Sequence, residues 1–397
     1  DTVSGGNGLE TRNKEKGKYY KLKESLSFCI FIQIGMLPLI IYFQYEAPAF
    51  SFLANVAAVP LATCAFTLAF LLIFLPYTVF HEAISWMIQG VLWISRQSYG
   101  MLTIGHVPFL WVLLFYFMTG LWIWKKNGQN RHIRISLAYV IMIILIWIPM
   151  ARRKSLVFLD VGQGDCFVAD TKSGAIIFDG GSSSEDQVGR YRILPYMKYL
   201  GYQKIQIAVI SHMDIDHYSG IKELLEMGKI KYLGLPEIPK DATMKKIIGI
   251  AKKRGTTIFY LSRGRQITTK DGSLKVLHPQ KNSQMEKNAA SLVMQGKILG
   301  YRVLLTGDVE KEGEEELLSE ELERADILKA AHHGSKNSTS NEFLQKVQPK
   351  QTVISCGKQN RYGHPHLETI HRLQTYHTKI YRTDRSGAII FFKRRDG

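Results

Sequence analysis

Long stretches without a charged residue dominate the first 150 residues of this 397-residue chain. They are bounded by the pairs Glu24 and Glu46, Glu46 and Glu82, Arg96 and Lys125, and Arg134 and Arg152. A helix needs about 20 mostly apolar residues to cross a hydrocarbon core of about 30 Å. The pattern therefore predicts membrane-spanning helices near residues 26–45, 50–75, 104–124 and 134–150.

A further apolar segment, 78–95, contains His81, Glu82 and Gln89 and fits two alternatives. It is either a fifth span or an amphipathic helix that lies in the membrane interface. The whole region 26–150 could also be a simple anchor, but five apolar segments are more than an anchor needs.

Basic residues predict the orientation of these segments. Residues 1–25 form a basic leader before the first span, and four more basic residues lie within 125–134. Because basic loops stay on the cytoplasmic side, both segments are expected there. If 78–95 is a span, the five successive spans cross the membrane in alternating directions, and residues 151–397 then lie on the extracytoplasmic side.

The formal net charge of +17 indicates a polyanionic partner, which could be nucleic acid, a phosphate-bearing substrate or lipid headgroups. Residues 151–397 hold 40 basic and 28 acidic residues, so most of the excess lies in the second part of the chain. The apolar fraction of 46% and the four cysteines exclude a disordered chain and a disulfide scaffold.

Residues 151–397 alternate short apolar runs with amphipathic stretches, which predicts an α/β domain. The strongest motif runs from Ser211 to His217 and follows the apolar run 205–210. On an extended exit from a strand, His212, Asp214 and Asp216 would point to one side, and His217 would turn in at a helix start. Four such donors predict a divalent metal site with room for two ions. The alternative is a polar loop with a helix-capping aspartate.

Two other predicted strands end in residues of the same kind. Asp308 follows the apolar run 302–305 and could bridge two ions, or it could simply form a turn. His332 and His333 follow the run 327–330 and offer one imidazole ligand and a second imidazole for an acid role or substrate contact. Alone, either histidine could be an ordinary surface residue.

These motifs together carry a family resemblance. They are Asp160–Asp165, Phe178–Gly181, Ser211–His217, Leu305–Asp308, Ala331–Ser335, Asn288 with Ser291–Val293, Tyr362–Pro365 and Thr383–Ala388. The sequence resembles the metallo-β-lactamase superfamily and, more narrowly, the C-terminal part of ComEC-type competence proteins, which are inner-membrane channels for DNA uptake. The resemblance implies an αββα sandwich that follows the α-helical membrane segment.

The resemblance also implies roles for individual residues. The implied metal ligands are His212, Asp214, Asp216, His217, Asp308 and His333. Asp216 and His332 are the expected catalytic residues, and the expected cofactor is one or two divalent ions, Zn²⁺ or Mn²⁺. Expected to orient ligands or contact substrate are Asp160, Asp165, Asp179, Asn288, Ser291 and His364. The three aspartates could instead be turn-forming carboxylates beside glycines. Asn288 and Ser291 stand where the superfamily has a third histidine motif. One of the two ions would therefore have fewer ligands.

The implied function is natural competence at the inner membrane. A multi-pass membrane protein would take part in transport of single-stranded DNA, and its metal-dependent nuclease or phosphodiesterase domain would degrade the other strand. Two alternatives stay open: a DNA channel whose hydrolase-like domain only binds, and a membrane-bound hydrolase of another phosphoester or lactone. Expected partners are DNA, membrane lipid, other competence proteins and further copies of the chain.

A basic stretch offers a DNA contact of weaker specificity. It comprises Lys245, Lys246, Lys252, Lys253 and Arg254. Such residues could follow a phosphate backbone. A solvated helix face turned to anionic lipid explains them equally well.

Overall fold

The computed structural model describes residues 27, 30–48, 51–74, 78–96, 100–124, 153–285, 288–320 and 322–394. The chain divides into two compact units, Asp1–Pro149 and Met150–Gly397. The basic leader 1–25 and the predicted span at 134–150 lie outside the described residues.

The described part of the first unit is mainly helical. Its elements are α1 (Ile30–Gln44), β1 (Glu46–Pro48), α2 (Ser51–Leu71), α3 (Thr78–Arg96), β2 (Met101–Thr103) and α4 (Phe109–Trp124). Strands β1 and β2 pair in antiparallel fashion, and Thr103 donates a side-chain hydrogen bond of 3.2 Å to the buried carboxylate of Glu46.

One helix of the described residues is long and apolar enough to cross a membrane, judged by length and composition, through its segment Ala54–Leu71. Helices α1 and α4 contain shorter apolar segments. Helix α3 is amphipathic, as the interface alternative for 78–95 predicts. The extracytoplasmic placement of the second unit requires 78–95 to be a fifth span, and it stays a prediction.

The second unit contains two seven-stranded sheets. The first sheet has the order β16-β3-β4-β5-β6-β7-β8, formed by β3 (Ser155–Phe158), β4 (Phe167–Thr171), β5 (Gly174–Phe178), β6 (Ile205–Val209), β7 (Ile230–Pro236), β8 (Thr257–Leu261) and β16 (Ile389–Phe392). The second has the order β15-β14-β13-β12-β11-β10-β9, formed by β9 (Gln266–Thr269), β10 (Gly272–His278), β11 (Val293–Ile298), β12 (Tyr301–Leu305), β13 (Ile327–Lys329), β14 (Gln351–Ile354) and β15 (Lys379–Arg382).

Helices cover the outer face of each sheet. They are α5 (Leu194–Tyr199, after a π-helical turn at Gly189–Ile193), α6 (Ile215–Glu226), α7 (Ala242–Lys253), α8 (Lys311–Leu318), α9 (Asn341–Val347), α10 (Leu367–Thr375) and the short α11 (Thr383–Ser386), with a 3₁₀ turn at Ala331–Gly334.

Successive side chains of a strand point to opposite faces of its sheet, and they therefore enter different layers of the hydrophobic core. In β3, Leu156 and Phe158 enter the core between the two sheets, whereas Val157 enters the core under the helices of the first sheet. A separate core lies between the second sheet and its helices, where Phe343 is fully buried. Because successive side chains of a strand point to opposite faces, a sheet that is covered on both sides needs apolar residues at every position. The second unit is thus a helix–sheet–sheet–helix sandwich, as the resemblance implied.

Helix α7 shows how the outer helices are defined by sequence. Asp241 caps its N-terminus by accepting a hydrogen bond of 2.7 Å from the backbone N–H of Met244. Met244, Ile247 and Ala251 are buried on one face. The predicted DNA-contacting basic residues all lie on the exposed side.

Candidate metal centre

The motif Ser211–His217 passes from a strand into a helix. Strand β6 ends at Val209, the backbone at Asp214 is still extended, and α6 begins at Ile215. The expectation that Asp216 lies on an extended exit from the strand is therefore wrong, because Asp216 belongs to the first helical turn. His217, one residue later in the same turn, is completely buried, while the Asp214 side chain keeps 38% of its exposure.

Glycine-containing loops hold this first turn of α6. The N–H of Asp165 donates a 3.0 Å hydrogen bond to the Asp216 carbonyl, and the N–H of Gly180 donates one of 2.8 Å to the His217 carbonyl. A Cβ atom on Gly164 or Gly181 would collide with the helix backbone. These glycines therefore let Asp165 approach the histidines closely.

Four buried side chains from four segments converge here. Asp165, His217, Asp308 and His333 each offer one potential ligand atom, and these atoms lie within 4.8 Å of one another. Oδ2 of Asp308 is 3.1 Å from Nε2 of His217 and 3.4 Å from Nε2 of His333. Oδ2 of Asp216 is 3.3 Å from Nε2 of His333. We call these five residues the central cluster.

Each imidazole near the centre is oriented through its other ring nitrogen. Nδ1 of His217 donates to Oδ2 of Asp179 at 3.0 Å, and Nδ1 of His333 donates to the Ser355 carbonyl at 2.9 Å. Nδ1 of His212 lies 3.0 Å from the Ser211 hydroxyl. In the neutral ring this leaves the lone pair on Nε2, the arrangement that outer hydrogen bonds impose on metal-binding histidines.

The donor set fits a divalent cation. Nε2 of His212, His217 and His333 is buried without a hydrogen-bond partner among the described residues. A buried polar atom without a partner is costly. A divalent ion would satisfy these nitrogens and the facing carboxylates together, since imidazole and carboxylate are common ligands of such ions.

The electrostatics of the cluster also favour a cation. Burial alone would lower the pKa of His217 and His333, but Asp308 and further carboxylates raise both pKa values well above their usual range. Burial would raise the pKa of Asp308, yet His217 and His333 hold it well below its usual value. The carboxylates thus remain charged and hold positive charge between them.

Lys329 is a member of the site that the sequence reasoning missed. Its side chain is buried, forms an ion pair with Asp165, and donates to the Gly307 carbonyl at 3.0 Å. Its Nζ is also 3.4 Å from Oδ1 of Asp308. A lysine inside the apolar run 327–330 was the available signal, because lysine is almost never buried unless it is paired.

His332 lies beside the central cluster. It keeps 24% exposure, its Nδ1 is 2.7 Å from Oε1 of Glu310, and its Nε2 is 3.9 Å from Oδ2 of Asp308. His332 and His333 both have positive φ, at 46° and 53°. This conformation is unfavourable for residues other than glycine, and such strain concentrates at functional sites.

A cavity of about 470 Å³ opens onto the centre. Its walls include Asp214, Asp216, Asp308, His332, His333, Tyr362 and His364. Burial, together with His333 and His332, lowers the pKa of His364 to about 4, so this imidazole is neutral at neutral pH. The structure places His364, which is expected to orient ligands or contact substrate, in the wall of this cavity.

Other predicted residues lie further out. Asp160 accepts a 3.1 Å hydrogen bond from the N–H of Gly162 within its own loop. Ser291 accepts one of 3.3 Å from the N–H of Asp308, and the Asn288 carbonyl accepts one of 3.0 Å from the N–H of Ser291. These residues therefore support loops and contribute no atom to the group of four potential ligands.

Two family models match the chain. The model described as Metallo-beta-lactamase superfamily matches residues 159–358, and the model described as Competence protein matches residues 7–129. Among solved structures, the metallo-beta-lactamase fold protein YhfI from Bacillus subtilis aligns with 60% of this chain and 99% of its own, at 13% identity and a TM-score of 0.43.

Three curated relatives are similar to the chain. ComE operon protein 3 of Bacillus subtilis is 31% identical over 400 residues, which is 92% of this chain and 51% of the relative. Competence protein ComA of Neisseria gonorrhoeae is 31% identical over 60% of this chain and 32% of its own. Recombination protein 2 of Haemophilus influenzae is 29% identical over 66% of this chain and 32% of its own. The chain spans about half or less of the length of these relatives.

The second unit thus has a metallo-β-lactamase-like α/β fold with a buried His/Asp cluster. The chain belongs to the ComEC-type competence proteins, with a C-terminal domain of the metallo-β-lactamase superfamily. Proteins of this type are membrane proteins.

Proposed function

We propose that the second unit, residues 151–397, is a metal-dependent nuclease or phosphodiesterase that acts on DNA. In competence it would degrade the strand that is not transported, while residues 26–150 take part in carrying single-stranded DNA across the inner membrane. The observation that carries the enzymatic part is the set of buried, unpartnered imidazole nitrogens that face carboxylates beside an open cavity.

The ligands would divide into two groups. Asp216, His217, Asp308 and His333 approach one another closely enough to hold one ion. His212 and Asp214 are a thinner set, with Nε2 of His212 3.6 Å from Oδ2 of Asp214. One or two divalent ions are therefore proposed, and His/Asp ligands suit Zn²⁺ or Mn²⁺.

The side chains around the centre have distinct tasks in phosphodiester hydrolysis. A bound divalent ion supplies Lewis-acid charge next to a phosphoryl oxygen and makes water a better nucleophile at neutral pH. Asp216 borders the cavity and would accept a proton from the attacking water. His332, fixed by Glu310, would stabilise charge on the phosphoryl group or donate a proton to the leaving oxygen.

The surroundings of the cavity suit a polyanionic substrate. Thr243 on the first turn of α7 lines the cavity, and Lys245, Lys246, Lys252, Lys253 and Arg254 continue along the exposed face of that helix and its end. A DNA backbone that leaves the cavity over this face would meet these charges. Membrane lipid, other competence proteins and further copies of the chain are proposed partners of the whole protein.

The membrane unit is proposed to be multi-pass, with the hydrolase unit on the extracytoplasmic side. There it would meet incoming duplex before one strand enters the membrane. The apolar helices of the described first unit and the family relationship support this placement in a membrane.

The test uses the full chain in detergent with end-labelled duplex and single-stranded DNA, and with added Mn²⁺ or Zn²⁺. We expect cleavage that requires metal and that is lost in a His212→Ala/Asp216→Ala double variant. The matched control is Asp170→Asn, because Asp170 is buried at the opposite end of the first sheet and bonds to Lys154 and Tyr202.

Each other outcome counts against the nuclease. Equal cleavage by the double variant would mean that a contaminant or another site acts. Metal-independent binding without cleavage would favour a binding-only domain. Turnover of a small phosphodiester with no response to DNA would favour another hydrolase of the superfamily.

A further inference from the structure

Lys329 is buried more deeply than its chemistry normally permits. It lies at the end of β13, and its side chain keeps 5% exposure. Transferring an ammonium group out of water costs several kcal/mol unless close partners offset the loss. The partners of Lys329 are two carboxylates that point into the central cluster, and this placement needs an explanation.

Asp308 divides its two oxygens between different cationic groups. Oδ2 faces Nε2 of His217 at 3.1 Å and Nε2 of His333 at 3.4 Å. Oδ1 faces Nζ of Lys329 at 3.4 Å. A carboxylate can bridge two cations through its two oxygens, and on the Oδ1 side of Asp308 the protein itself supplies the cation.

The charges of the cluster lead to the same conclusion. Asp165, Asp179, Asp216 and Asp308 all lie within 4 Å of the ring nitrogens of His217 or His333. The ammonium of Lys329 contacts two of these carboxylates, Asp165 and Asp308. A second divalent ion on the Oδ1 side of Asp308 would lie next to that ammonium and be repelled by it.

We propose that Lys329 is a positioning residue that takes the place of a divalent ion between Asp165 and Oδ1 of Asp308, so that this centre tightly holds one ion. The ammonium fixes Asp165 and one oxygen of Asp308, and it leaves the other oxygen of Asp308 free for the ion. The inference rests on the metal site of the proposed function and is independent of the DNA substrate.

The test counts bound metal in the full chain in detergent. The protein is stripped with a chelator and dialysed against dilute Mn²⁺ or Zn²⁺, and the tightly bound metal per chain is measured by plasma mass spectrometry. We expect one ion in the wild type and two in Lys329→Met. Lys329→Arg keeps the charge and should hold one. Lys350→Met removes an exposed lysine that directly precedes β14 and pairs with Asp326, and this variant should also hold one.

Lys329→Gln covers the case in which Lys329→Met does not fold. Its amide is polar but carries no charge, so this variant should also bind two ions. Two tightly bound ions in the wild type would overturn the inference, as would a single ion in a neutral variant with a native melting curve. Absence of metal from the wild type would instead refute the metal site, and with it the proposed function. One bound ion without DNA cleavage would refute only the nuclease.

Discussion

Replacing Asp179 by asparagine should weaken metal binding without touching a proposed ligand. The buried carboxylate accepts two hydrogen bonds, one of 2.7 Å from the backbone N–H of Ser211 and one of 3.0 Å from Nδ1 of His217. The two donors contact different carboxylate oxygens, and an asparagine side chain has one oxygen and one NH₂ group, so in this geometry it can accept only one of them. If the oxygen keeps the Ser211 contact, the NH₂ group faces Nδ1 and favours the tautomer with its proton on Nε2. That nitrogen is the one that faces Asp308.

The magnitude follows from the contact that is lost. A hydrogen bond to a charged group contributes about 1.5–3 kcal/mol. About 1.4 kcal/mol corresponds to a tenfold change in an equilibrium constant. Changes to groups that orient metal-binding histidines cost roughly 10- to 100-fold in metal affinity. We therefore expect Asp179→Asn to bind Mn²⁺ or Zn²⁺ roughly 10- to 100-fold more weakly.

The assay is competition with a chromophoric chelator, carried out on the full chain in detergent. Asp170→Asn is the control, since Asp170 is also fully buried but pairs with Ala175 at the other end of β5. It should lower the melting temperature and leave metal affinity unchanged. Metal affinity of Asp179→Asn within twofold of the wild type, with a native melting curve, would refute the proposed role of the Asp179–His217 contact.

Three further outcomes are expected. His333→Ala should lose metal affinity, measured by the same competition, whereas His332→Ala should keep the metal and lose roughly 100-fold in DNA cleavage rate. Although burial alone would lower them, nearby carboxylates raise the pKa values of His217 and His333, so metal must displace a proton from each; metal affinity should therefore rise with pH below these raised pKa values, by up to about tenfold per pH unit for each displaced proton. Reversing the charge of Lys252 and Lys253 should weaken DNA binding and make the logarithmic salt dependence shallower by about 0.7–0.9 per lost phosphate contact, and Lys275→Glu on the second sheet should do neither.

Each of these expectations has a contradicting result. Metal loss in His332→Ala with retention in His333→Ala would exchange the roles of the two histidines. A metal affinity that is flat with pH would mean that the imidazoles are already neutral in the metal-free protein. Equal weakening of DNA binding by Lys275→Glu would mean that helix α7 has no special part in it.

Much of the sandwich could be predicted, but several strands were missed. The apolar runs at 205–210 and 302–305 are strands at nearly the predicted positions. Strand β7 was missed because Ile230–Pro236 contains a lysine, a glycine and a proline, which are weak strand signals. Edge strand β16 alternates between buried and exposed residues over only four positions. Such strands form because neighbouring strands of the sheet supply their hydrogen bonds, and these neighbouring strands are distant in the sequence.

The sequence by itself determined which chemistry is available. The charge-free runs, the motif Ser211–His217 and the strand ends at Asp308 and His332–His333 predicted apolar helices followed by an α/β domain with a His/Asp centre. These signals are local, since each consists of a few neighbouring residues whose spacing has a direct physical meaning.

Tertiary structure alone decided which donors meet. It placed Asp165 among the potential ligands and set Lys329 against both Asp165 and Asp308. Asp165 belongs to the first sheet's loops, whereas Asp308 and Lys329 come from the second sheet. Their contact depends on how two sheets pack, and no spacing along the chain encodes a distance across that interface.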